Sequence, residues 1–247
     1  MAGTRADGVT HLGDQIQSSL ELLHRLEEQA DEYPRLEELQ HWQRARLRAT
    51  YADLRRQPKF EGACVFFLEE LYGGRDMKER DRQLERAVPV MRRFLPDTLL
   101  FAVGEAMRLQ WMSLSLDADL STHVVGDLDQ SSYARAYREQ GGWDERVEQI
   151  RLIDDLGRLI ERTVQRSMIR RLVRWMHGPA VAAGFGKLQT FLMTGLDSFA
   201  AMSGDADEFI DTIARRERAA LEAMRSGSDA PFRPWIGVGL DDAEPPS

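Results

Sequence analysis

A histidine with a glutamate three residues before it is the first pairing in this chain that could do chemistry. It occurs twice, as Glu21/His24 and Glu38/His41. On a helix this spacing puts both side chains on one face. In di-iron bundles such pairs hold part of the centre, and two other helices supply lone glutamates. Glu69, Glu70 and Glu105 could be those donors. Both histidines, however, fall off the leucine stripes of their segments and sit among charged neighbours, so solvated faces are the expected setting. No metal and no other cofactor is expected. His123 beside Asp117, Asp119 and Asp127 is a second, looser cluster; its spacing fits no calcium loop, and it reads as an acidic solvated loop.

Arg158, Arg162, Arg166, Arg170 and Arg174 recur every four residues, with Arg171 alongside. Each step advances about 400° around a helix, so the row drifts slowly and forms a basic ridge. Such a ridge could grip a protein or anionic partner, or could pair with acidic neighbours of its own chain. The whole chain has a formal net charge of −8, which argues against general nucleic-acid binding. There is no Walker loop, dinucleotide-binding glycine turn, nucleophile elbow or His-Glu-x-x-His motif. Cys64 is the only cysteine, so no intrachain disulfide and no multi-cysteine metal site can form. It lies on an apolar stripe and reads as a small buried hydrophobe.

The elements that must position these residues are helical. Apolar residues recur at spacings of three and four, and no window alternates with period two. Three capping boxes are expected, at Asp14-Gln15-Ile16-Gln17, Asp76-Met77-Lys78-Glu79 and Asp205-Ala206-Asp207-Glu208. Pro89 should kink or restart its helix, and residues 117–129 should form a loop. Residues 144–176 read as one long helix with a soft spot at Gly157. The following segment, with Phe185, Leu188, Leu192, Leu196, Phe199 and Met202, is expected to be the central helix. The predicted fold is an all-α, antiparallel bundle of about eight or nine helices in a single domain spanning 13–226. A flexible stretch (1–12) precedes it and a disordered tail (227–247) follows, with docking of Phe232-Arg233-Pro234-Trp235 on the body as the alternative for that tail. The two most apolar stretches are interrupted by Glu105 and Arg108, and by Lys187 and Asp197, so no transmembrane segment is expected and the cytoplasm is the default.

The most distinctive string is Phe66-Phe67-Leu68-Glu69-Glu70-Leu71-Tyr72, followed by Gly73-Gly74. Cys64, Phe67, Leu68 and Leu71 would share its inward face, and the glycines would end the helix. With Arg75-Asp76, Arg80-Asp81 and Val88-Pro89-Val90-Met91 beyond it, the heptapeptide resembles the signature of the FFLEELY-motif proteins, a bacterial family without an assigned activity. The resemblance implies identity and transfers no catalytic residue. The turn after it would bring Arg75, Arg80 and Asp81 near Glu69, Glu70 and Tyr72. That junction is either an ion-pair staple between two helices or a polar pocket that could take a ligand. Two functional readings follow. The first is a non-enzymatic interaction or regulatory module working through the arginine ridge. The other is a helical enzyme or small-ligand binder, with or without a metal, using a pocket at the Glu69/Arg80 junction.

Overall fold

Apolar spacing of three and four carries through to helices, and no strand occurs among the described residues, which are 5–67, 77–164, 171, 173–175, 177–182, 184–202, 204–237 and 240. In this computed structural model the order is α1 (Arg5–Glu28), a 3-10 turn (Ala30–Glu32), α2 (Leu36–Thr50), α3 (Ala52–Arg55), α4 (Pro58–Val65) and α5 (Met77–Phe94). There follow α6 (Asp97–Thr122), α7 (Gln130–Gln140), α8 (Trp143–Val164), α9 (His177–Ala182), α10 (Gly186–Ala201), α11 (Ala206–Arg225) and α12 (Arg233–Ile236). Nine of the helices among the described residues are seven residues or longer, which is the all-α single-domain bundle that the pattern predicts.

The centre is α6, not the helix of Phe199 and Met202. It is buried from Leu99 to Ser121 and touches α1, α2, α5, α7 and α8. Leu99, Leu100, Ala102, Val103 and Leu109 spread its buried surface over most of the helix, and only a narrow face with Phe101 and Asp119 is exposed. In α10, Leu196 and Phe199 are buried, but its neighbours are α4, α5, α8 and α9.

Side-chain pairs fix the directions. Gln17 with Glu85 and Ser19 with Asp81 make α1 and α5 antiparallel. Arg158 with Asp207, and Arg218 with Asp154, do the same for α8 and α11. The exception is α1 and α6, which run the same way: Leu12 lies against Gly104 and Ser19 meets Gln110. Gly104 permits the approach, since a Cβ there would fall 2.6 Å from the His11 ring.

Several local expectations change. The first helix begins at Arg5, and Leu12 is fully buried, so the segment expected to be flexible is packed from there on. Asp14 therefore sits inside α1 and caps nothing, while Gln17 donates to Glu85 at 2.7 Å. Asp205 does stand before α11, but without a side-chain cap; its carboxylate accepts from Lys59 Nζ at 3.0 Å instead. Asp76 lies outside the described residues. A true capping box forms at α7, where Ser132 N donates to Asp129 Oδ1 at 2.8 Å and Asp129 N to Ser132 Oγ at 2.9 Å. Residues 117–122 belong to α6, so Asp117 is a core residue and not part of a loop. Helix α5 continues through Pro89. Gly157 is a packing contact inside α8: a Cβ there would fall 2.8 Å from Ile210 Cγ1 of α11. The chain is also ordered past residue 227, because Phe232 finds a buried site against α2 and α7.

Candidate functional site

Helices α2, α6, α8 and α11, with Tyr133 and Tyr137 from α7, enclose a cavity of about 170 Å³. One wall is apolar, made by Leu47, Leu109, Ile153, Phe209 and Ile213, with Cys64 and Phe67 at its edge. The other is polar and charged, made by Gln43, Arg46, Asp117, Arg146 and Glu217. The polar wall exists because the inward face of α2 is not all apolar. Its buried positions are Leu39, Gln43, Arg46 and Thr50, spaced by four, three and four, and two of them bring hydrogen-bonding groups to the core.

Two ion pairs of opposite orientation span the cavity wall. Arg46 donates to Glu217 Oε1 at 2.7 Å, and the Tyr51 hydroxyl donates to the same oxygen at 2.7 Å. Arg146 stands 3.6 Å from Asp117, beyond hydrogen-bond length, and donates to the side chain of Gln149 at 3.2 Å. Gln43 ties the second pair to α7, since its Nε2 donates to Asp117 Oδ1 at 3.2 Å and to the Tyr133 hydroxyl at 3.3 Å. Both guanidinium groups lie over aromatic rings, Arg46 at 4.4 Å from Phe232 and Arg146 at 4.5 Å from Tyr137. Gln43 Oε1 and Arg46 Nε are buried atoms of the wall without a hydrogen-bond partner among the described residues. The bonds that Glu217 receives from Arg46 and Tyr51 both fall on Oε1, and its side chain is partly exposed.

Burial sets the protonation states. It works against the Arg46 charge, but the Glu217 carboxylate outweighs it and holds that pKa above the usual value. Burial raises the phenols of Tyr51 and Tyr133, so both stay neutral. The Cys64 thiol is pushed up to about 11 by burial, which leaves it protonated and a poor nucleophile.

A C-terminal strap closes the outside of the polar wall. Phe232 packs under Arg46 and beside Tyr133, whose ring centroid is 5.8 Å away. Gln130 holds the strap at two points, accepting from Phe232 N at 3.1 Å and donating to Gly237 O at 2.9 Å. Arg138 donates to Ser228 O and to Asp229 Oδ1.

Of the residues singled out by sequence, Cys64, Phe67 and Asp117 line this cavity, and Asp81 of the expected junction adjoins it. Its fully buried carboxylate accepts from Ser19 Oγ at 2.8 Å and from Gln110 Nε2 at 3.1 Å, and Gln110 lines the cavity. Glu69, Glu70, Tyr72 and Arg75 lie outside the described residues, as does the side chain of Arg80. From the same motif, Phe66 and Phe67 form a π-type turn at the end of α4. The wider turn lets both rings pack inward, Phe66 on Phe191 and Phe67 on Phe199 and Phe209.

The two ends of the arginine row are paired. Arg158 bonds Asp154, Asp207 and Asp211, and Arg174 stands 3.4 Å from Asp197. Arg162 and Arg171 are exposed, and Arg166 and Arg170 lie outside the described residues. His24 pairs with Glu28, Glu38 is bonded by Arg35, and Glu105 meets His11 at 2.7 Å. No group of three metal-ligating side chains occurs among the described residues. None of their helices is long and apolar enough to cross a membrane.

Sequence reasoning missed Gln43, Arg46, Arg146 and Glu217. The signal present was a polar residue on the apolar face of α2 at every turn. Residues 23–231 match the model of a family described as "Domain of unknown function (DUF8198)". No curated protein and no solved structure matches the chain.

Proposed function

The chain belongs to the DUF8198 family, and from its interior we propose that it is a non-enzymatic binding module that holds a small molecule in the central cavity. The observation that carries this is a void of about 170 Å³ walled on one side by buried charges. Protein interiors leave few voids larger than a water molecule. An occupant would displace solvent from the apolar side chains of the wall, and would give Gln43 Oε1 and Arg46 Nε the partners they lack among the described residues.

The heptapeptide at 66–72 supports reading the chain also as an FFLEELY-motif protein, with Phe67 serving as a wall of the cavity. A pocket at the Glu69/Arg80 junction would adjoin this one through Asp81 and Gln110. Docking of a protein or anionic partner on the Arg158–Arg174 row has less support, because both ends of the row face carboxylates of the same chain.

Thermal denaturation against a panel of small polar-apolar fragments tests the cavity reading, with Ala106→Phe as the filled control. Fragments that bind the native state should raise the Tm of the wild type by mass action and leave the filled variant unmoved. Equal responses of the two proteins to every fragment would overturn it.

A further inference from the structure

We propose that the occupant is a zwitterion with an apolar body, of the class of free α-amino acids with a branched aliphatic or aromatic side chain. This rests on the cavity reading above and adds the charge pattern to it. The wall carries two guanidinium groups, Arg46 and Arg146, and two carboxylates, Asp117 and Glu217, so its formal charges balance. A ligand with one net charge would leave a buried imbalance, which low-dielectric surroundings penalise heavily. A ligand with both signs adds none.

The atoms left over also come in both kinds. Gln43 Oε1 is a buried acceptor with no partner among the described residues, and Glu217 on the same wall is a partly exposed carboxylate, so both suit an ammonium. Arg46 Nε is a donor without a partner, suited to a carboxylate. Opposite them, Leu47, Leu109, Phe209 and Ile213 present hydrocarbon and no charge. Size limits the body of the ligand. A dry cavity of ~150 Å³ accommodates a benzene ring, so about 170 Å³ suits a side chain of that size and excludes nucleotides and acyl chains.

The test is titration calorimetry with L-leucine and L-phenylalanine against three analogues of the leucine skeleton. These are 4-methylpentanoate (acid only), 3-methylbutylamine (amine only) and 3-methylbutanol (no charge). The expected result is saturable binding of one of the two amino acids, weakened at least 10-fold by removal of either charge. Glu217→Gln should weaken the amino acid by a similar factor and strengthen 4-methylpentanoate, whose single charge then balances the wall. Gln43→Met removes a second acceptor and serves if Glu217→Gln does not fold. Binding of the uncharged alcohol as tightly as the amino acid would overturn the zwitterion and leave the binding cavity standing. Heat from none of the five compounds, combined with no response to the fragment panel, would remove both.

Discussion

Arg46 and Glu217 stand 171 residues apart in sequence and 2.7 Å apart in the bundle, where they join α2 to α11 beside the cavity. Removing one partner strands the other in a mostly buried setting, so Arg46→Met should cost about 3 kcal/mol. The double replacement Arg46→Met/Glu217→Leu should recover most of that loss. Urea denaturation of the two singles and the double, read as a double-mutant cycle, measures the coupling. Additive losses would mean the pair contributes nothing beyond its separate contacts.

Phe232 is 1 % exposed and sits beneath the Arg46 guanidinium. Truncation to alanine should cost about 3–5 kcal/mol through the cavity it leaves. Native-state hydrogen exchange should then show residues 228–237 losing protection before the helices do. Protection unchanged in Phe232→Ala would show that the two Gln130 bonds alone hold the strap.

Glu148 gives a pH signature. The Arg151 hydrogen bond, opposed by partial burial and aided by Arg108, lowers its pKa from 4.5 to about 2. A depressed carboxylate stabilises fully above its unfolded pKa and loses that contribution as pH falls through the folded one. The stability gap between wild type and Glu148→Gln should therefore be full at pH 7 and shrink between pH 4.5 and about 2. Denaturant midpoints across that range give the curve; a flat gap would remove the ion pair from the account.

Cys64 reports on the cavity directly. With its pKa near 11, about a thousandth of the thiol is ionised at pH 8, and the side chain is buried. Labelling by an aromatic disulfide should be slow in native protein, fast in urea, and slower still when a ligand fills the cavity. Native labelling as rapid as in urea would mean the interior is open.

How much of this could be read in advance varied with the kind of interaction. Helix positions followed from apolar spacing, because that signal is local. The core role of Asp117 did not, since an aspartate in an acidic run resembles a loop until Arg146 and Gln43 are known to face it. Likewise the leucine stripe of α2 does not reveal that its buried face includes Gln43 and Arg46. A charged residue on an inward face is explained only by its partner, and the partner Glu217 belongs to α11. Asp205 failed as a cap for the same reason: Lys59, distant in sequence, competes for its carboxylate.

The parallel seating of α1 on α6 has a consequence for how the chain is made. Ser19 and Gln110 are 91 residues apart, so at ~5–20 residues per second a ribosome needs on the order of ten seconds to supply the second after the first. During that interval the α1 face bearing Leu12 and Ile16 lacks its α6 partner. Translation, rather than any step in solution, then sets the earliest moment at which the first helix can reach its final place, and nascent chains shorter than α6 should be the ones that engage chaperones.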